Sequence, residues 1–147
     1  MADRIDALKT LLTRLVDSRE GYRDAIEHVE SAHIKSMFQQ FMERRDRNAS
    51  EIRAYLTKEG HSVEEDGSLL ASAHRSWMDF KDAVTGSDDA ATIAEVARGE
   101  KQLLEAYDDA LTAAGGTDPE YAFLAEQHAS LKQAIAQLET RQDLAAE

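Results

Sequence analysis

Residues 60–86, GHSVEEDGSLLASAHRSWMDFKDAVTG, separate two pairs of periodic segments and so decide how the chain is threaded. Neighbouring helices of a bundle are joined by about two to eight residues, and this link is far longer. Leu69, Leu70, Ala73, Trp77 and Phe80 share one face at helical spacing, which predicts a short helix crossing between two glycine-marked breaks. Upstream, Ile5, Leu8, Leu12, Leu15, Tyr22, Ile26 and Val29 recur at intervals of three and four, followed by Ile34, Phe38, Phe41, Ile52 and Tyr55. Downstream, Ile93, Val96, Leu103, Tyr107 and Leu111 repeat the rhythm, and so do Tyr121, Leu124, Leu131, Ile135 and Leu138. Each pair of long helices is joined by a short turn, around Ser31-Ala-His33 and across Ala114-Gly-Gly-Thr117.

A hairpin, a long crossover and a second hairpin make a ferritin-like connection. The expected fold is therefore all-α: an antiparallel four-helix bundle of two helical hairpins, with a short crossing helix between helices two and three. Asp3 is placed to cap the first helix, Ser87 with Asp88 and Asp89 the third, and Pro119 occupies the opening turn of the fourth. The 147 residues, with 42% hydrophobic content and no strand alternation, are read as one domain, 1–147. Seventeen basic against 29 acidic side chains give a formal charge of −12, a field that repels nucleic acid and anionic membrane. No basic segment with an apolar stretch opens the chain and no apolar run approaches bilayer length, so a cytoplasmic setting is expected. The absence of cysteine removes thiolate chemistry.

Five polar side chains fall on the inward faces when residues are set about 100° apart. They are Arg19 on helix one, Arg45 and Asn48 on helix two, Glu100 on helix three and His128 on helix four. Each lies near a helix midpoint, so antiparallel packing predicts one buried polar layer in which Glu100 accepts from both arginines. Ferritin-like dimetal centres take one Glu from each of two helices and a Glu-x-x-His from each of the other two. Here Arg45-x-x-Asn48 and Arg19 stand at three of those places, and guanidiniums that keep their protons repel a dication. No metal or other cofactor is expected. Two arginines facing one glutamate leave a positive surplus, which an outer carboxylate such as Asp17 or Glu51, or a small bound anion, would balance.

His74 and Trp77 share a face of the crossing helix and are read first as its anchor, second as a ligand or partner face. Gly21 and Gly99 lie inside helices at a cost of about 1 kcal/mol each, and close helix approach around the layer is the expected compensation. No Gly-rich phosphate loop and no Ser/His/Asp set is present, so no catalytic residue is assigned.

Asp17-Ser-Arg-Glu-Gly21-Tyr22 with Ala25, His74-Arg-Ser-Trp77, and Ala97-Arg-Gly-Glu100 with Tyr107 together resemble a small bacterial family of ferritin-like four-helix-bundle proteins of unknown function. The resemblance covers nearly the whole chain and implies the fold, a bacterial cytoplasmic setting and a link to stress responses. It implies glutamate where this chain has Arg19, and a histidine near Ile135, two departures that count against metal. The expected role is non-catalytic binding or assembly, with a salt-bridged layer in place of a dimetal site. The alternatives are a dinuclear metal protein or oxidoreductase, and a small-anion binder in the core. Partners of this reading are a second copy of the chain, a small anion or an unidentified protein, not nucleic acid or membrane.

Overall fold

The computed structural model describes residues 2–61 and 89–146. Within them lie α1 (Ala2–Ile26), α2 (Ala32–Lys58), α3 (Asp89–Ala113) and α4 (Pro119–Ala146), and no strand. α1 packs on α2 and on α3, α3 packs on α4, and α2 meets α4 at few points. The crossing helix expected around His74 and Trp77 lies outside the described residues.

Each described helix end has a local cause. Ser31 has extended backbone and its side chain accepts from the Ile34 amide, so α2 opens on an ordinary N-cap. It closes on Gly60 at φ +85°, where the Gly60 amide donates to the Thr57 carbonyl and the His61 amide to the Leu56 carbonyl. That is a Schellman cap, and it needs a residue that tolerates the left-handed region. Pro119 begins α4, where a missing amide hydrogen costs nothing, and the Asp118 carboxylate accepts from Gly115 N at 2.9 Å across the turn.

One end assignment differs from the sequence reading, and Ser87 and Asp88, expected to cap α3, lie outside the described residues. α1 begins at Ala2, so Asp3 lies inside its first turn rather than before it. Asp89 is the first residue of α3, and its carboxylate accepts from the amides of Glu30 (2.9 Å) and Ser31 (3.1 Å). It thereby ties the α1–α2 turn to the start of α3, which periodicity along one helix could not show.

Buried apolar side chains form two clusters. One holds Leu8, Leu12, Leu15, Ile52, Leu56, Leu103, Tyr107, Leu124 and Leu131. The other holds Tyr22, Ala25, Phe38, Phe41, Ile93, Val96 and Leu138, with the Tyr22 ring centroid 5.5 Å from that of Phe38 and 6.0 Å from that of Phe41. On α2 the boundary between them falls between Phe41 and Ala49, and on α3 between Ala97 and Leu103. Arg45 and Glu100 occupy those two gaps.

Candidate functional site

Glu100 is 2% exposed and is the acceptor around which the mid-bundle polar groups are arranged. Ser18 Oγ donates to its Oε1 at 2.6 Å, while the Tyr22 hydroxyl (2.8 Å) and Arg45 Nε (2.9 Å) donate to its Oε2. α1, α2 and α3 each supply part of this cluster. Arg45 is fully buried, and burial works to strip its proton, but the negative charge of Glu100 outweighs that and holds the guanidinium above its ordinary value. Burial, reinforced by the charge of Glu100, pushes the Tyr22 hydroxyl well above the usual phenol range, so it stays a donor. Arg45 Nη1 and Nη2 find no acceptor among the described residues.

The other residues expected in this layer are placed differently. Arg19 is largely buried along its length, yet its guanidinium reaches Glu20 (2.9 Å) and Asp46 (3.2 Å), not Glu100. A long apolar stem lets it reach along the α1/α2 seam to acceptors outside the Glu100 cluster. The positive surplus expected from two arginines on one glutamate therefore does not arise. Asn48 is half-buried and lines a groove beside α4. His128 is also half-buried, and its Nε2 lies 2.7 Å from Oδ1 of the exposed Asp108.

Gln127, one residue before His128, takes the inward place. It is 6% exposed, accepts from the Tyr107 hydroxyl at 2.7 Å and donates to Glu51 at 2.8 Å. This chain opens onto a groove of about 280 Å³ lined by Asn48, Glu51 and Gln127. A third cluster sits at the end of the bundle. Arg4 Nη1 donates to Glu120 at 2.6 Å and to the Tyr55 hydroxyl at 2.9 Å, and that hydroxyl donates to Glu120 at 2.6 Å. Glu120 is completely buried; burial alone would raise its pKa, but the hydrogen bonds from Arg4 and Tyr55 hold it below the usual carboxylate range.

Gly21 and Gly99 do not mark a close approach. Among the described residues, a Cβ built on either meets no atom within 4 Å, which corrects the expectation of compressed helices. Both instead line a second groove, of about 210 Å³, between α1 and α3, and Glu100 forms part of its wall.

The donor set does not fit a dinuclear metal. Arg45 Nε lies 2.9 Å from Glu100 Oε2, so a permanent cation already shares that carboxylate. Among the described residues, no three of the His, Asp and Glu side chains converge as metal ligands would. The structure offers this site a charge-paired polar layer and two solvent-open grooves, on opposite pairs of helices.

Comparison with known proteins gives the family. The family described as a domain of unknown function, DUF2383, matches residues 3–113. The chain belongs to the DUF2383 family. That match takes in Glu100, Arg45, Ser18 and Tyr22, and it stops before α4. A solved structure from Anabaena variabilis, of a two-domain protein with DJ-1/ThiJ/PfpI-like and ferritin-like domains, superposes with a TM-score of 0.76 at 24% identity. The superposition covers 97% of this chain and 40% of that one, and it establishes a ferritin-like fold for the DUF2383 chain. No curated protein matches it. Among the described residues, no helix is long and apolar enough to cross a membrane.

Proposed function

We propose that this DUF2383 protein is a non-catalytic bundle, one domain in a bacterial cytoplasm, that works by binding or assembly. In this reading a salt-bridged polar layer stands where ferritin-like proteins hold two metal ions. The observation that carries it is the buried Arg45–Glu100 pair at 2.9 Å, a built-in cation against the one glutamate of the layer that a metal would use. A carboxylate so engaged is a poor metal ligand, because a dication would have to displace or sit beside a guanidinium that cannot lose its proton. The ferritin-like fold supports the placement, not the chemistry, since function follows the site and not the scaffold.

Elemental analysis of protein grown with added iron and manganese and purified without chelator tests this. Less than a tenth of a metal ion per chain, by the order-of-magnitude criterion that a dinuclear centre takes about two, is the expected result. Stoichiometric metal lost on Glu100→Ala would overturn the reading and restore a redox or storage role.

The small-anion alternative retains one supporting observation, the unpartnered Nη atoms of the buried Arg45. It has lost the charge surplus that first motivated it, because Arg19 is paired with Glu20 and Asp46.

A further inference from the structure

The groove between α1 and α3 sorts its charges by depth. Its carboxylates lie inside, with side-chain exposures of 2% for Glu100, 10% for Asp17 and 17% for Glu95. Its arginines lie at the rim, Arg14 at 48% and Arg98 at 56%, each beside the carboxylate of its own helix, Asp17 or Glu95. Among the described residues, counting Arg45 behind Glu100, three guanidiniums stand with three carboxylates. A ligand with net charge of either sign would unbalance this arrangement, whereas one with separated charges and no net charge would complement it. Its cationic end belongs inside, where Glu100 has lone pairs beyond its three bonds and the Ser18 hydroxyl oxygen can accept. Its anionic end belongs at the arginine rim.

Openness is the second, independent observation. Gly21 and Gly99 both line this groove, and an added Cβ at either would meet no atom of the described residues within 4 Å. Neither glycine is needed for backbone conformation, since Gly60 is the glycine with positive φ among the described residues. Two helix-weakening residues that packing does not require are accounted for by the access they leave to Glu100.

We propose that this groove binds a small zwitterion, an amino acid or a short aminocarboxylate, with its ammonium group inward at Glu100 and Ser18 and its carboxylate outward at Arg14 and Arg98. The proposal deepens the binding reading above by giving the ligand's chemical class. The volume of about 210 Å³ suits a molecule of amino-acid size rather than a nucleotide.

The test is calorimetric titration of the full chain with the twenty L-amino acids, β-alanine and 4-aminobutyrate, and with butylamine and butyrate as single-charge controls. At least one zwitterion should bind, and both controls should bind at least ten-fold more weakly. Gly21→Ala and Gly99→Ala should raise the melting temperature of the free protein and weaken that zwitterion at least ten-fold. Gly21→Ala and Gly99→Ala that bind as the parent does would overturn the assignment to this groove. Equal binding of butylamine would overturn the zwitterion in favour of a simple cation site, and no zwitterion binding at millimolar concentration would overturn the proposal outright. Metal content is read separately, so a metal-free protein that binds no zwitterion sinks this inference while leaving the polar-layer reading in place.

Discussion

Removing one partner of the Arg45–Glu100 pair strands the other where little water reaches it. Both side chains are at most 2% exposed, so water is a poor substitute: Arg45 lies behind Glu100, and Glu100 meets solvent at the foot of the α1/α3 groove. Breaking a buried ion pair from one side costs about 3–5 kcal/mol, and Arg45→Met, which keeps most of the stem volume, should fall in that range. Glu100→Leu should cost at least as much, because it also strips the acceptor from Ser18 and Tyr22. With an unfolding entropy of roughly 2.1 cal/mol/K per residue, a chain of 147 residues would lose about 10–16 °C in Tm for either change. The double variant places apolar side chains where two apolar clusters already meet, and such replacements are neutral or mildly stabilising in comparable sites. It should recover most of the loss of the singles and stay about 1–3 kcal/mol below the parent, the cost of leaving the buried Tyr22 hydroxyl without its acceptor, a coupling still above the ~0.5 kcal/mol scatter of independent sites. Urea denaturation of the four proteins, followed by circular dichroism at 222 nm, supplies the numbers. Additive losses, with the double variant as damaged as the sum of the singles, would refute the claim that Arg45 and Glu100 act as one unit.

Two further perturbations probe the other polar contacts. Glu120→Gln removes a carboxylate whose folded-state pKa is held down by Arg4 and Tyr55, so its stabilisation is complete above the unfolded value of about 4.3 and is lost as pH falls through the folded one. Parent and variant should therefore differ by about 1–3 kcal/mol at pH 7 and draw together as the pH falls below the unfolded value of about 4.3, and a gap that stays constant into the acid range would refute the linkage. Asp89→Ala removes two hydrogen bonds to the α1–α2 turn, at an expected loss of about 1–2 kcal/mol. Amide exchange at Glu30 and Ser31 should quicken while that of Leu56 and Leu103 changes only as global stability does; unchanged protection at the turn would show that the contact is not held in solution.

The helices and their pairing were legible because long apolar stripes at three- and four-residue spacing leave one packing solution, two hairpins side by side. The site was legible where a charged residue interrupts such a stripe without an alternative. Phe38, Phe41, Arg45, Ile52 and Leu56 admit Arg45 alone at the gap, and Val96, Glu100 and Leu103 admit Glu100 alone; both are buried in the structure. Where two neighbours both fit, apolar spacing was ambiguous. Gln127 and His128 each bridge Leu124 and Leu131, and the buried Ala134 shows which series continues: 124, 127, 131, 134, 138. On α2 the buried Ala49 holds the stripe and displaces Asn48 to its edge. Alanine was the missing signal in both cases, since a small side chain is apolar enough to lie inside yet too weakly hydrophobic to mark a face.

Another kind of miss concerns the direction of a long side chain. A helical wheel fixes where Cβ points, and Arg19 does begin near the inward face, but its guanidinium lies several bonds further out and follows charge. Glu20 and Asp46 offer it acceptors of its own, whereas Glu100 already has three donors. The same reasoning explains Ser18, which no apolar period would select: its short hydroxyl reaches Glu100 because it projects toward the α1/α3 groove rather than the core centre. That places the buried carboxylate at a boundary, with the Arg45 charge behind it and an open groove in front. A glutamate with a fixed internal cation behind it and a groove in front presents acceptor lone pairs outward, which is the electrostatic condition for receiving an ammonium group and a poor one for receiving a bare dication.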